Sequence, residues 1–231
     1  WSMSEVFNIF PTTIFVEKME NHSNHKKNFY KLYDKYDYEE NEKSNTVSEG
    51  QVDPLLHLEP SLDSLFIEII KHVKTYVLDV LQFKDIFNYS ITKTWLSRTK
   101  DKKSIPWHIH STSHISFVYY LNIPPKSHKT IFLNKNNTNS LFLGSNYKGR
   151  VDDATMISEF NNLNANTFYL YPTEGYVSLF PSNLTHGTES VDVNFNQERL
   201  CIVGDINLIL KEQYLHHSMG LIDEKYWKKF S

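Results

Sequence analysis

Between residues 61 and 81, apolar side chains fall at Leu62, Leu65, Phe66, Ile69, Val73, Val77 and Val80, a three-and-four spacing that lines one face of a helix. Ser61 stands where a hydroxyl can satisfy the first free N–H groups, so the helix is expected to start there and to pack against a sheet. From Tyr89 the rhythm shortens to that of strands. Candidates are 89–98, 107–110, 116–122, 130–134, 167–171, 177–180 and 200–210, each rich in β-branched or aromatic residues and bounded by turn formers. An earlier strand is expected over 7–16, interrupted at Pro11.

Polar stretches separate these segments. Residues 22–50 carry at most one short helix, suggested by Tyr30, Leu32, Tyr33 and Tyr36, and 37–50 reads as a loop. Residues 135–166 form an Asn-rich connection of a length that belongs either to unstructured chain or to a lid over a site. Residues 215–230 are expected to add a terminal helix. Several short strands with turn signals between them define a mainly β antiparallel sandwich or barrel with flanking helices. The expected organisation is one domain over 3–210, with an N-terminal strand and helical support over 3–88 and the β core over 89–210, followed by a tail over 211–231.

Composition narrows the setting. The 231 residues are 40% apolar and 14% aromatic, as in a globular chain. A formal charge of −3 and the lack of aromatic platforms within a basic stretch give no case for nucleic acid. Cys201 is the only cysteine, which excludes a disulfide framework and a thiolate zinc site and fits a reducing compartment, so the expected location is cytoplasmic. No apolar run is long enough for a membrane span, and no signal-peptide pattern opens the sequence.

The chemistry lies in the histidines. On an extended chain His108 and His110 share a face, and two imidazoles on one face can bind a borderline metal such as Fe(II). A second piece follows 78 residues after His108: an apolar strand runs through Phe180-Pro181 to His186-Gly187. A third is Arg199, which opens the strand Leu200-Cys201-Ile202-Val203. Its planar fork can hold a carboxylate through two charge-assisted hydrogen bonds. The competing reading of Arg199 is a surface salt bridge to Glu198 or Glu189. His114 competes with His110 as a ligand. His22, His25, His57, His72, His128, His216 and His217 read as ordinary surface residues.

In this order and spacing the three pieces resemble the Fe(II)/2-oxoglutarate oxygenases. The run from His108 to Leu121, the segment Phe180 to Gly187 and the early Phe10-Pro11-Thr12 are similar to a bacterial and phage group within that superfamily. That group has a His-x-His, a Ser-Gly-Val-Tyr-Tyr-Leu strand, a Phe-Pro-Ser-x-x-x-His-Gly segment and an Arg-x-Ser strand. Phe117 stands here in place of its Gly and Cys201 in place of its Ser. Tyr119 to Asn122 is also similar to prolyl hydroxylases. The resemblance implies a double-stranded β-helix, the jelly-roll barrel of the cupin-like folds, over 89–210. It implies Fe(II), 2-oxoglutarate and dioxygen as cofactor and co-substrates. His108, His110 and His186 would be the metal ligands, and Arg199, with Tyr120 as second donor, would bind the far carboxylate of 2-oxoglutarate. His110 takes the place of the carboxylate that most of the superfamily uses. An occupied second-ligand position argues against halogenation, so the implied reaction is hydroxylation coupled to conversion of 2-oxoglutarate to succinate. The expected prime substrate is a protein side chain or an amino acid. Two other readings share the same residues: a three-histidine cupin dioxygenase that needs no 2-oxoglutarate, and a non-catalytic jelly-roll binding module.

Overall fold

The computed structural model describes residues 8–33, 55–99, 104–135, 157–189, 198–216 and 220–228. Along these the chain forms β1 (Phe15–Lys18), α1 (His22–Tyr30), α2 (Asp63–Lys74), β2 (Phe87–Thr99), β3 (Ile115–Asn122), β4 (Thr130–Leu133), β5 (Thr167–Leu170), β6 (Tyr176–Pro181), β7 (Thr185–Thr188) and β8 (Arg199–Leu210). A five-stranded sheet has the order β1-β6-β3-β8-β2, and a three-stranded sheet the order β5-β4-β7, every pairing being antiparallel. Together they make the jelly-roll barrel, a double-stranded β-helix. No described helix is long and apolar enough to cross a membrane.

β3 shows how the sequence sets the layers. It lacks a polar face because both faces are covered. Ile115, Phe117, Tyr119 and Leu121 enter the core shared with the helices, whereas Val118 and Tyr120 enter a second core facing the small sheet. β8 divides the same way, with Leu200, Ile202 and Ile206 on the helical side and Cys201 and Val203 inside the barrel. Phe117 pairs with Gly204 across the sheet, and its ring lies over that glycine: a Cβ there would sit 2.5 Å from Phe117 Cε1. The glycine is the space the phenylalanine needs.

The helical stripe packs as its spacing predicts. Leu62, Leu65, Phe66, Ile69, Val73 and Val77 are all buried, each such burial contributing about 1.5–3 kcal/mol relative to exposure. The helix ends differ from expectation. Ser61 does not cap it; its hydroxyl turns to Glu59, and a 3₁₀ turn over Pro60–Leu62 leads into α2. After Lys74 the helix widens to a π-helix over Thr75–Val80, which keeps Tyr76 and Val77 inside and turns Val80 out to 44% exposure.

The structure corrects other expectations as well. The early strand starts at Phe15, and the short helix is α1, ahead of Tyr33; residues 37–50 lie outside the described residues. Most of the 135–166 connection also lies outside them. In place of a terminal helix there are single 3₁₀ turns at Glu212–Tyr214 and Glu224–Tyr226. Several histidines read as surface residues are buried: His25 is 1%, His72 6% and His128 0% exposed. His25 Nε2 pairs with Glu68 at 2.7 Å, tying α1 to α2, and His22 Nδ1 meets the Tyr119 hydroxyl at 2.6 Å. His217 lies outside the described residues.

Candidate active site

Residues 107–110 were expected to be a strand, but they belong to a loop held to β7 by a single bridge. His108 N donates to His186 O at 2.9 Å, and His186 N donates to His108 O at 3.0 Å. His110 N is anchored in turn on Ser182 O. The backbone is extended enough that the alternation still holds. Trp107 and Ile109 point outward, 47% and 46% exposed, and the His108 and His110 rings stack with centroids 5.2 Å apart. β7, which the sequence reading missed, is only four residues long and carries His186 into the same space. The ring centroid of His186 lies 4.3 Å from that of His108 and 5.0 Å from that of His110. One ring nitrogen from each histidine lies within 4.8 Å of the others.

All three Nδ1 atoms are engaged. His108 Nδ1–H donates to Pro106 O at 2.8 Å, His186 Nδ1–H donates to Leu184 O at 2.8 Å, and His110 Nδ1–H donates to Asp205 Oδ1 at 2.6 Å. With Nδ1 protonated, each imidazole carries its lone pair on Nε2, the tautomer a metal requires. Burial, reinforced by the neighbouring His108, lowers the pKa of His186 to about 3, so at neutral pH its ring is uncharged. His114 turns away: it is exposed, its Nδ1 lies 2.9 Å from Asn207 Oδ1, and it has no place in the cluster.

The histidines sit at one end of a cavity of about 460 Å³, a size typical of small-molecule sites. Its wall on the large sheet follows from strand register. Lys93, Trp95 and Ser97 of β2 lie opposite Asp205, Val203 and Cys201 of β8, and β3 adds Val118. Arg199, also in the lining, is 2% exposed, and its Nε has no hydrogen-bond partner. The alternative surface salt bridge is ruled out: Glu198 pairs with Arg98, and Glu189 with Lys129 at 3.2 Å. Ser97 Oγ, buried in the same wall, is also unpartnered. A buried cation beside an orphan hydroxyl is costly unless an anion joins them. The cavity therefore fits a carboxylate at this end and a metal at the other. The Tyr120 ring centroid lies 5.9 Å from Arg199 Cζ, with its hydroxyl bonded to Thr130 Oγ1 at 3.0 Å; Thr130 itself lines the cavity.

Sequence reading did not find Asp205, Ser97 or Thr130. Their only signal was strand parity: Asp205 is six residues beyond Arg199 and so shares its face.

Residues 93–205 match the family model described as "Putative 2OG-Fe(II) oxygenase". Over these residues the chain is similar to the Fe(II)/2-oxoglutarate oxygenases, a class that uses Fe(II), 2-oxoglutarate and dioxygen. The fold is similar to that of HygX from Streptomyces hygroscopicus, solved with iron bound, at 14% identity over 92% of each chain and a TM-score of 0.52. HygX solved with nickel and 2-oxoglutarate gives 13% identity over 92% of each chain and a TM-score of 0.51. AviO1 from Streptomyces viridochromogenes Tue57 is also similar, at 12% identity over 84% of this chain and 89% of its own, with a TM-score of 0.51. No curated protein matches the sequence.

Proposed function

We propose that this protein is an Fe(II)- and 2-oxoglutarate-dependent hydroxylase acting on a protein side chain or an amino acid. The observation that carries the reading is one cavity with three histidine rings clustered in its lining and, in the same lining, the buried Arg199, whose Nε has no hydrogen-bond partner. In this reading His108, His110 and His186 hold the metal on one side. Arg199 receives the far carboxylate of 2-oxoglutarate, and Tyr120 supports that end beside Thr130. When bound, iron and 2-oxoglutarate supply the oxidising chemistry, with 2-oxoglutarate leaving as succinate. The chain's residues orient the co-substrate, and the buried wall of β3 and β8 excludes water from it. His110 fills the second-ligand position, which favours hydroxylation over halogenation. Lys93 and Ile109, which line the cavity and are exposed, stand on its solvent side, where a prime substrate would approach.

Purified protein supplied with Fe(II) and 2-oxoglutarate is expected to form succinate even without prime substrate, at a slow rate. Absence of both metal and 2-oxoglutarate binding in calorimetry would overturn the reading.

A further inference from the structure

The three histidines are not held alike. His108 and His186 give their Nδ1–H to main-chain carbonyls, which are neutral; His110 gives its to a carboxylate. Asp205 is 3% exposed, and its Oδ1 also accepts from Ser116 Oγ at 3.1 Å. Ser116 Oγ lies 2.9 Å from Ser182 Oγ, to which Ser113 Oγ donates at 2.8 Å. β3, β8, the turn after β6 and the ligand loop thus converge on one buried anion. A lone buried carboxylate is expensive, and among the described residues the basic partner of this one is His110.

We propose that Asp205 is a positioning residue for the metal centre. Its carboxylate fixes the tautomer and ring direction of His110 and restores the negative charge that a three-histidine ligand set lacks. This inference rests on the ligand reading above. A divalent metal on three neutral imidazoles keeps both positive charges in a buried cavity. A carboxylate hydrogen-bonded to one imidazole offsets one of them, as a directly bound carboxylate would, and makes that imidazole a better donor. The carboxylate is thereby moved one residue outward from the metal rather than lost. The exchange has a geometric cause: β8 places Asp205 opposite Ser116, too far back to join the cluster itself but in line with Nδ1 of His110.

The test is Ni(II) binding to the metal-free protein by calorimetry, without 2-oxoglutarate or turnover. Asp205→Asn keeps the shape and an acceptor oxygen but removes the charge. Ni(II) affinity is expected to fall about 10- to 100-fold, with the melting temperature of the metal-free protein nearly unchanged. In a His110→Ala background the same substitution is expected to cost nothing further, because the effect passes through that ring. An affinity within about twofold of wild type, or an equal loss in both backgrounds, would overturn the role of Asp205. If Asp205→Asn does not fold, Asp205→Ser, which keeps a polar group and removes the charge, carries the test: a loss of about tenfold or more supports the role and unchanged affinity overturns it. Failure of the wild-type protein to bind Ni(II) overturns the ligand reading beneath it instead.

Discussion

Gly187 and Ile105 are in contact through the space where a side chain would be: a Cβ on Gly187 would lie 2.7 Å from the Ile105 carbonyl oxygen and 3.2 Å from that of Pro106. That close approach lets the loop bearing His108 lie flat on β7, with Thr188 N donating to Ile105 O at 3.0 Å. Pro106 O is also the acceptor for His108 Nδ1. Gly187→Ala must therefore push away the group that aims a ligand. The expected outcome is an Ni(II) affinity lower by about tenfold or more in a protein that still folds, read by calorimetry alongside circular dichroism.

Arg199 separates the oxygenase reading from a three-histidine dioxygenase that needs no 2-oxoglutarate. Each charge-assisted hydrogen bond contributes about 1.5–3 kcal/mol, so losing a two-pronged contact costs roughly 100-fold or more in 2-oxoglutarate affinity. Arg199→Ala is expected to lose 2-oxoglutarate binding while retaining Ni(II). Undiminished 2-oxoglutarate binding in competition calorimetry would place the co-substrate elsewhere.

The choice between His110 and His114 has a simple check. His186→Ala is expected to abolish Ni(II) binding and His110→Ala to weaken it to a still measurable level, whereas His114→Ala, altering an exposed ring bonded to Asn207, leaves it unchanged. A metal-binding defect in His114→Ala would show that the loop rearranges around the ion.

Acid is expected to loosen the helical side of the molecule. Burial raises the pKa of Glu68, but hydrogen bonds from His25, Asn21 and Glu20 N outweigh it and leave the carboxyl below its usual range. Burial lowers the pKa of His72, partly offset by the Glu68 charge. Both groups take up protons more readily when unfolded, so each contributes stability that is complete above its unfolded pKa and lost as pH falls. The loss begins near pH 6.5 through His72 and continues below about 4.5 through Glu68. His72→Gln is expected to flatten the first stage, measured as melting temperature against pH.

Much of this was legible in the residues because two rules suffice for it. Strand parity put His108 and His110 on one face even though no strand forms there, and helical spacing found the buried stripe of α2. Parity failed where a segment was too short to show a period, as in β7, whose four residues are buried on every side. The buried His25 and His72 escaped because their partner, Glu68, is 43 residues from one and a helical turn from the other, and only packing reveals the pairing. Asp205 escaped for a related reason. In sequence it interrupts an apolar strand, and its meaning depends on a loop 95 residues away.

β8 carries Arg199, Cys201, Val203 and Asp205 into the cavity by strict alternation. Inserting or deleting one residue between Arg199 and Asp205 would turn one of them into the helix-facing core while the other stayed. The proposed co-substrate anchor and the proposed tuner of the metal are therefore inherited as a unit. Descendants of this chain can lengthen or shorten the turns between strands, but within 199–205 they can change only by substitution.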